Sequence, residues 1–174
     1  RILSITQPSL VIGSPECIPF SQLQDLSKYE VGREKWKKLV KEAVQHLQFL
    51  CRVYRMQARE GRWFLHEHPL NATSWTLKSM LDAAGMEGVQ MVRGDLRMYG
   101  ATTKGPSAVP QQPTGFMTNS DCLAERLSKR CEGQHAHKPT VAGSMAEAAT
   151  QPEGRSVEIR RGLEEEMSKQ EEQW

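Results

Sequence analysis

The sequence lacks long hydrophobic runs: its apolar stretches are only a few residues, whereas a membrane-spanning helix needs roughly 20. It also lacks a basic N-terminal region followed by an apolar stretch, so we expect no secretory signal. A strong charge of either sign is missing as well, since 23 Lys and Arg against 21 Asp and Glu give a formal charge of +2. A near-neutral total neither requires nor excludes nucleic acid, because a basic patch can lie within it.

Cysteine is scarce too, with four widely spaced residues in a chain of 174. We expect an intracellular protein, in which reduced thiols are the default, and a disulfide framework is therefore not expected. The length suits one domain with a real hydrophobic core. Because the chain opens on Arg1 rather than Met and soon enters a strand-like segment, we interpret it as a fragment of something longer.

The hydrophobic pattern of the first hundred residues predicts an α/β fold. Pro8–Gly13 and Trp63–Leu65 are strand-like, and a third strand is expected at 89–92. Between the first two, apolar residues from Trp36 to Tyr54 recur every three or four positions, which predicts a long amphipathic helix that ends near Gly61. A shorter helix is expected at 76–84. This alternation is typical of a parallel sheet, with loops at its carboxyl edge that carry the chemistry.

The rest of the chain has a weaker pattern. Gly100–Gly115 is rich in Gly, Pro, Thr, Ser and Gln and is predicted to be irregular. A helix is expected over Ser120–Arg130. Val157–Trp174 is predicted to be a highly charged helix, and its narrow apolar stripe is expected to pack only weakly on the rest of the protein. We therefore divide the chain into residues 1–99, an irregular segment at 100–150, and a C-terminal helix at 151–174.

Two motifs follow the first two predicted strands. The first, Gly13-Ser-Pro-Glu-Cys-Ile-Pro-Phe-Ser21, resembles the nucleophile loop of cytosine-5 DNA methyltransferases, usually written G-G-P-P-C-Q-x-F-S. It departs from that pattern at Glu16 and Ile18. The resemblance implies that the Cys17 thiolate adds to carbon 6 of cytosine, which makes carbon 5 nucleophilic. The alternative is an unreactive cysteine in a proline-rich turn.

The second motif, Phe64-Leu-His-Glu-His-Pro69, resembles the F-x-x-E-N-V segment of the same family. Glu67 then corresponds to the glutamate that meets ring nitrogen 3 of the flipped base, a role that needs a buried carboxyl able to share a proton. His68 and Pro69 stand where the family has Asn and Val. The alternative is a strand-end glutamate paired with a basic neighbour.

The resemblance implies an incomplete Rossmann-like methyltransferase sheet, S-adenosylmethionine as cofactor, DNA as substrate and a location that can be nuclear. Residues 100–150 become a target-recognition-like segment. No clear Q-x-R-x-R element is present, and Arg97 in Asp95-Leu-Arg-Met-Tyr-Gly100 is the candidate replacement. Only 12 residues precede Gly13, too few for the family's donor-binding strands. We therefore expect the chain to be inactive on its own.

Over most of its length the chain is also similar to methyltransferase-like segments of retroelement-type polyproteins, in which S-P-P-C stands for S-P-E-C and F-L-H-E-H-P recurs. This leaves a rival hypothesis: a non-catalytic nucleic-acid-binding or interaction module, a decayed relic supported by zinc. The candidate zinc ligands are Cys122, Cys131, His135 and His137, but their spacing matches no standard finger, and we predict that they do not converge.

Four arginines near the end of the long helix suit phosphate contacts on the catalytic-loop face, or simply a solvated helix face. They are Arg52, Arg55, Arg59 and Arg62.

Overall fold

The structure is a computed structural model that describes residues 2–21, 32–100, 113–130 and 153–172. Its strands are β1 (Leu10–Gly13), β2 (Trp63–Pro69), β3 (Gln90–Asp95) and β4 (Pro113–Thr118). Its α-helices are α1 (Ile2–Thr6), α2 (Arg33–Arg59), α3 (Lys78–Ala84), α4 (Asp121–Leu127) and α5 (Glu153–Glu172). Short 3₁₀ helices lie at Ile18–Phe20, Thr73–Thr76 and Leu96–Tyr99. The α/β class is confirmed.

The four strands form a mixed sheet in the order β1-β2-β4-β3. β1 pairs with β2 in parallel, while β4 runs antiparallel to both β2 and β3. The three strands predicted from the sequence therefore point the same way, and their carboxyl ends share one edge of the sheet. The expectation of an all-parallel sheet is wrong, because an antiparallel strand lies between β2 and β3.

Helices cover both faces of the sheet. On one face, α2 and α3 pack on a cluster formed by Phe20, Leu47, Leu50, Cys51, Tyr54, Phe64, Ala72, Met80, Ala83 and Met117. On the other, α4 and α5 cover Leu65, Tyr99, Phe116, Leu123, Leu127 and Ile159. The prediction of the long helix is confirmed, and Gly61 follows its end with a φ of +67° that glycine adopts without strain. β2 is buried on both faces, as a central strand should be.

The predicted irregular segment is corrected at its end. Pro113–Thr118, with its glycine and proline, is the strand β4, which is paired on both sides and buried over five of its six residues. Packing explains why residue 115 is a glycine, since a methyl group there would lie 2.9 Å from the Trp75 ring. A neighbouring side chain, and not a local hydrophobic pattern, explains this residue.

The prediction of weak docking by the C-terminal helix is also corrected. α5 approaches the protein through Gly162, where an added methyl would lie 2.8 Å from Leu123, and through charged residues. The Glu166 carboxylate accepts hydrogen bonds from Ser120 Oγ (2.6 Å) and from the backbone N–H of Cys122 (3.0 Å). Glu158 pairs with Arg126 at 3.0 Å and with Lys129 at 3.1 Å. Polar contacts thus hold a helix with few apolar residues.

In the part of the chain that the structure describes, no helix combines the length and the apolar character needed to cross a bilayer.

Candidate functional site

The Cys17 loop leaves the carboxyl end of β1. Cys17 is half-buried and precedes the 3₁₀ helix Ile18–Phe20, where its carbonyl accepts a hydrogen bond from the Phe20 N–H at 2.9 Å. Prolines fix the backbone on both sides, and Pro15 and Pro19 are buried. Burial raises the pKa of the Cys17 thiol, and the Glu16 carboxylate acts in the same direction. The thiol is therefore protonated at neutral pH.

Gly13 at the start of this loop is explained by packing. A methyl group at this position would lie 1.9 Å from Tyr54 Oη and 3.0 Å from its ring. The space beside the glycine is thus filled by a side chain of α2. Gly13 therefore supports the sheet and helix contact, and does not form a cradle for a ligand.

Glu67 lies inside β2, because that strand extends through His66-Glu67-His68 to Pro69 instead of opening into a loop after Leu65. Its backbone pairs with Phe116 of β4. Alternation along the strand places its side chain on the face that α4 and α5 cover, opposite to His66 and His68. The side chain is 11% exposed. Glu67 is therefore a buried carboxyl, and its role at a base stays a prediction.

Arg155 of α5 forms an ion pair with Glu67, joining Nη1 to Oε1. The arginine side chain is 1% exposed, and burial lowers its pKa to about 10, so that it stays charged at neutral pH. Its position depends on Gly154, where a methyl group would lie 2.4 Å from the Tyr99 carbonyl oxygen. The sequence offered no local signal for this residue, because the contact joins distant parts of the chain. The pairing agrees with the alternative in which Glu67 meets a basic residue, although that residue is distant in sequence and not a neighbour.

Arg97 follows β3 within the 3₁₀ helix Leu96–Tyr99, at the same sheet edge as Cys17 and Glu67. Its side chain lies outside the described residues, so its contact with a base or phosphate stays a prediction.

Cys17 and Glu67 therefore belong to the carboxyl ends of adjacent parallel strands. Gly13 pairs with His66, which places the loop directly beside Glu67 along the edge. Phe20 of the loop joins the cluster under α2, while Glu67 faces α5. A common cleft with the two side chains within roughly 10 Å, the separation that a bound base demands, stays a prediction.

No family model, curated protein or solved structure matches the chain. The site is consequently interpreted from its own residues.

Two buried histidines flank Glu67 on the opposite face. His66 Nδ1 lies 2.8 Å from Tyr54 Oη, and His68 Nδ1 lies 2.5 Å from Ser74 Oγ. Burial lowers the pKa of His66 to about 3 and that of His68 to about 4, so both rings are neutral. In the described ranges, no group of three or more His, Cys, Asp or Glu side chains could hold a metal ion.

Of the predicted Cys/His cluster, only Cys122 falls in a described segment. Its thiol lies in α4 and accepts a hydrogen bond from Lys169 Nζ at 3.0 Å. Cys131, His135 and His137 lie outside the described residues, and the prediction that the four do not converge stays open to test.

Two of the four arginines near the end of α2, Arg59 and Arg62, are not on the catalytic-loop side. Arg62 directly precedes β2 and so lies at the opposite edge of the sheet from Cys17; it pairs with Glu60 and donates to Gln57 Oε1 at 2.9 Å. Arg59 ends the helix at that same edge. For Arg59 and Arg62 the interpretation as part of the catalytic face is wrong, because α2 runs antiparallel to the strand it precedes and ends at the opposite edge. Arg52 and Arg55 flank Tyr54, which packs on Gly13, and for them the interpretation stays a prediction.

Proposed function

We propose that this chain is the base-activating part of a DNA cytosine-5 methyltransferase-like enzyme. The observation that carries the proposal is the placement of the Cys17 loop and the buried Glu67–Arg155 pair at the carboxyl ends of adjacent parallel strands. This is the edge at which α/β sheets place their reactive groups. Attack on cytosine carbon 6 requires a thiol and a carboxyl on either side of the base, and we propose that Cys17 and Glu67 are these two groups.

Each residue has a role in this proposal. The Cys17 thiolate adds to carbon 6, and Glu67 in its protonated form donates its proton to ring nitrogen 3 as electrons move into the ring, then recovers it when the thiolate leaves. Before a base binds, Glu67 is ionised and Arg155 balances its charge, because an unpaired buried carboxylate is costly; the base must therefore bring a proton from solvent to Glu67 as it takes the place of that pairing. Arg97, which follows β3 at the same edge, is proposed as a contact for the base or a phosphate.

The sheet supports the proposal as well. Three strands share one direction, and an antiparallel strand lies between the last two of them in space. Three strands in one direction are compatible with the incomplete Rossmann-like methyltransferase sheet that the resemblance implies. The finer fold assignment is accordingly part of the proposal.

The methyl donor, S-adenosylmethionine, supplies an electrophilic methyl group to carbon 5 when it is bound. The described residues do not fit it. The strand-end glycines Gly13 and Gly94 have no room for a ligand, since added methyl groups would lie 1.9 Å from Tyr54 Oη and 2.3 Å from the Leu127 carbonyl oxygen. Asp95 is buried and paired with Arg93 at 3.2 Å. We therefore derive no methyl-transfer step, and assign to this chain the activation of the base.

Exchange of the hydrogen at cytosine carbon 5 tests this assignment without a donor. When the thiolate adds to carbon 6, carbon 5 takes up a solvent proton; loss of the original hydrogen and departure of the thiolate then restore the ring. We expect DNA that carries tritium at cytosine carbon 5 to release it to water in the presence of the chain. Cys17→Ser should abolish release, and Glu67→Gln should slow it by about 10²–10⁴-fold. Cys122→Ser, which changes a thiol in α4, is the matched control.

A second candidate is a nucleic-acid-binding module without catalysis. The raised pKa of the Cys17 thiol favours it, because a nucleophilic cysteine normally has a lowered one. In that case DNA binding persists in Cys17→Ser, falls with salt, and occurs without tritium release. That result would replace the catalytic proposal.

A further inference from the structure

We infer that His68 is the positioning residue of the Cys17 loop. His68 follows Glu67 on β2, and its side chain is buried between that loop and the 3₁₀ helix Thr73–Thr76. No role in catalysis or binding is assigned to it by the resemblance, which has an asparagine there.

Two contacts join the His68 ring to the loop. The Phe20 ring meets it edge-on, with centroids 5.8 Å apart and an interplanar angle of 72°. The imidazole also interacts with the backbone of Glu16, the residue before Cys17, and this interaction partly offsets the lowering of the His68 pKa by burial. Within the described residues, Nε2 has no partner at ordinary hydrogen-bond distance. His68 therefore meets the loop at a residue before the nucleophile and at a residue after it.

The ring itself is held from behind. Ser74 Oγ lies 2.5 Å from Nδ1; when the hydroxyl donates, the proton stays on Nε2, which faces Glu16. The same 3₁₀ helix holds the loop directly, since Thr73 Oγ1 donates to the Phe20 carbonyl at 3.3 Å. Ser74, His68 and the loop thus form a chain of contacts that fixes the position of the thiol. Its catalytic meaning rests on the proposed function.

Alkylation of Cys17 tests the inference without nucleic acid. The full chain is treated with iodoacetamide between about pH 6 and 10, and the Cys17 peptide is quantified by mass spectrometry. Replacing His68 by Leu removes the contact with Glu16, so the loop loosens and the thiol loses its burial. We expect the pH midpoint to fall by about one unit and the rate at neutral pH to rise about tenfold. His68→Gln, whose amide nitrogen can reach the Glu16 backbone, should behave like the unchanged protein.

His66→Leu is the matched control, because His66 lies on the same strand and face but pairs with Tyr54 of α2. It should leave the Cys17 midpoint unchanged. If circular dichroism shows that His68→Leu does not fold, Ser74→Ala is the second variant. It removes only the hydroxyl that meets the His68 ring and should shift the pH midpoint of Cys17 alkylation in the same direction. Unchanged midpoints in both variants, or an equal shift in His66→Leu, would overturn the inference. A His68-dependent shift without tritium release in any variant supports the inference and refutes the proposed function.

Discussion

The Glu67–Arg155 pair allows a quantitative prediction. Its side chains are 11% and 1% exposed, so removing either partner leaves an uncompensated charge in the interior. We expect Arg155→Met and Glu67→Gln each to lower the free energy of unfolding by about 3–5 kcal/mol. For a chain of this size, that corresponds to a drop of roughly 6–20 °C in the melting temperature. The double variant should lose less free energy of unfolding than either single variant, because it leaves no unpaired charge in the interior.

The assay is urea denaturation of the four proteins in a double-mutant cycle. Lys78→Met provides the control: it breaks a pair with Asp82 in which the lysine side chain is 87% exposed, and should cost about 0.3–0.5 kcal/mol. If Arg155→Met costs no more than Lys78→Met, or if the two buried changes are additive, the helix α5 is not held on Glu67 as described.

Two further predictions concern stability. Burial lowers the pKa of His66 to about 3 and that of His68 to about 4. Below about pH 6.5 the unfolded chain therefore binds more protons than the folded chain. The free energy of unfolding should fall as the pH is lowered toward 4, by about 2.7 kcal/mol per pH unit for the two groups together. Urea denaturation across this range should show half that slope in His66→Leu, and an unchanged slope would contradict the burial of that ring. Gly13→Ala should cost at least about 2 kcal/mol by overpacking against Tyr54. Tyr54→Phe should relieve part of that cost, whereas strict additivity of the two changes would argue against the contact.

Local patterns were enough to predict part of this fold. Short apolar runs predicted β1 and β3, a helical period predicted α2, and all three elements are present. The continuation of β2 through His66-Glu67-His68 was missed, because charged residues at a strand end usually signal a loop. Here each buried polar side chain has a partner: Tyr54 for His66, Arg155 for Glu67 and Ser74 for His68.

Long-range pairing explains the other differences. The residues of β4 have a turn-like composition, and their strand is specified by β2 and β3 on either side. Arg155 belongs to a charged helix in which no periodicity separates it from its exposed neighbours. Only its contact with a strand far away in the sequence identifies it. Cys17 and Glu67, by contrast, could be named in advance because two short motifs resemble those of a known family, although Glu67 lies within β2 rather than after it.

Covalent capture tests the central claim most directly. A DNA duplex can carry 2-pyrimidinone in place of one cytosine. This ring lacks the exocyclic amine and adds a thiol at carbon 6 more readily than cytosine does. Because no donor is needed, the chain and the duplex alone should form an adduct whose mass is the sum of the two. We predict that digestion and mass spectrometry place the DNA on Cys17, and that Cys17→Ser forms no adduct. An adduct on Cys51 or Cys122, or no adduct under conditions in which the duplex is bound, would contradict the assignment of Cys17 as the nucleophile.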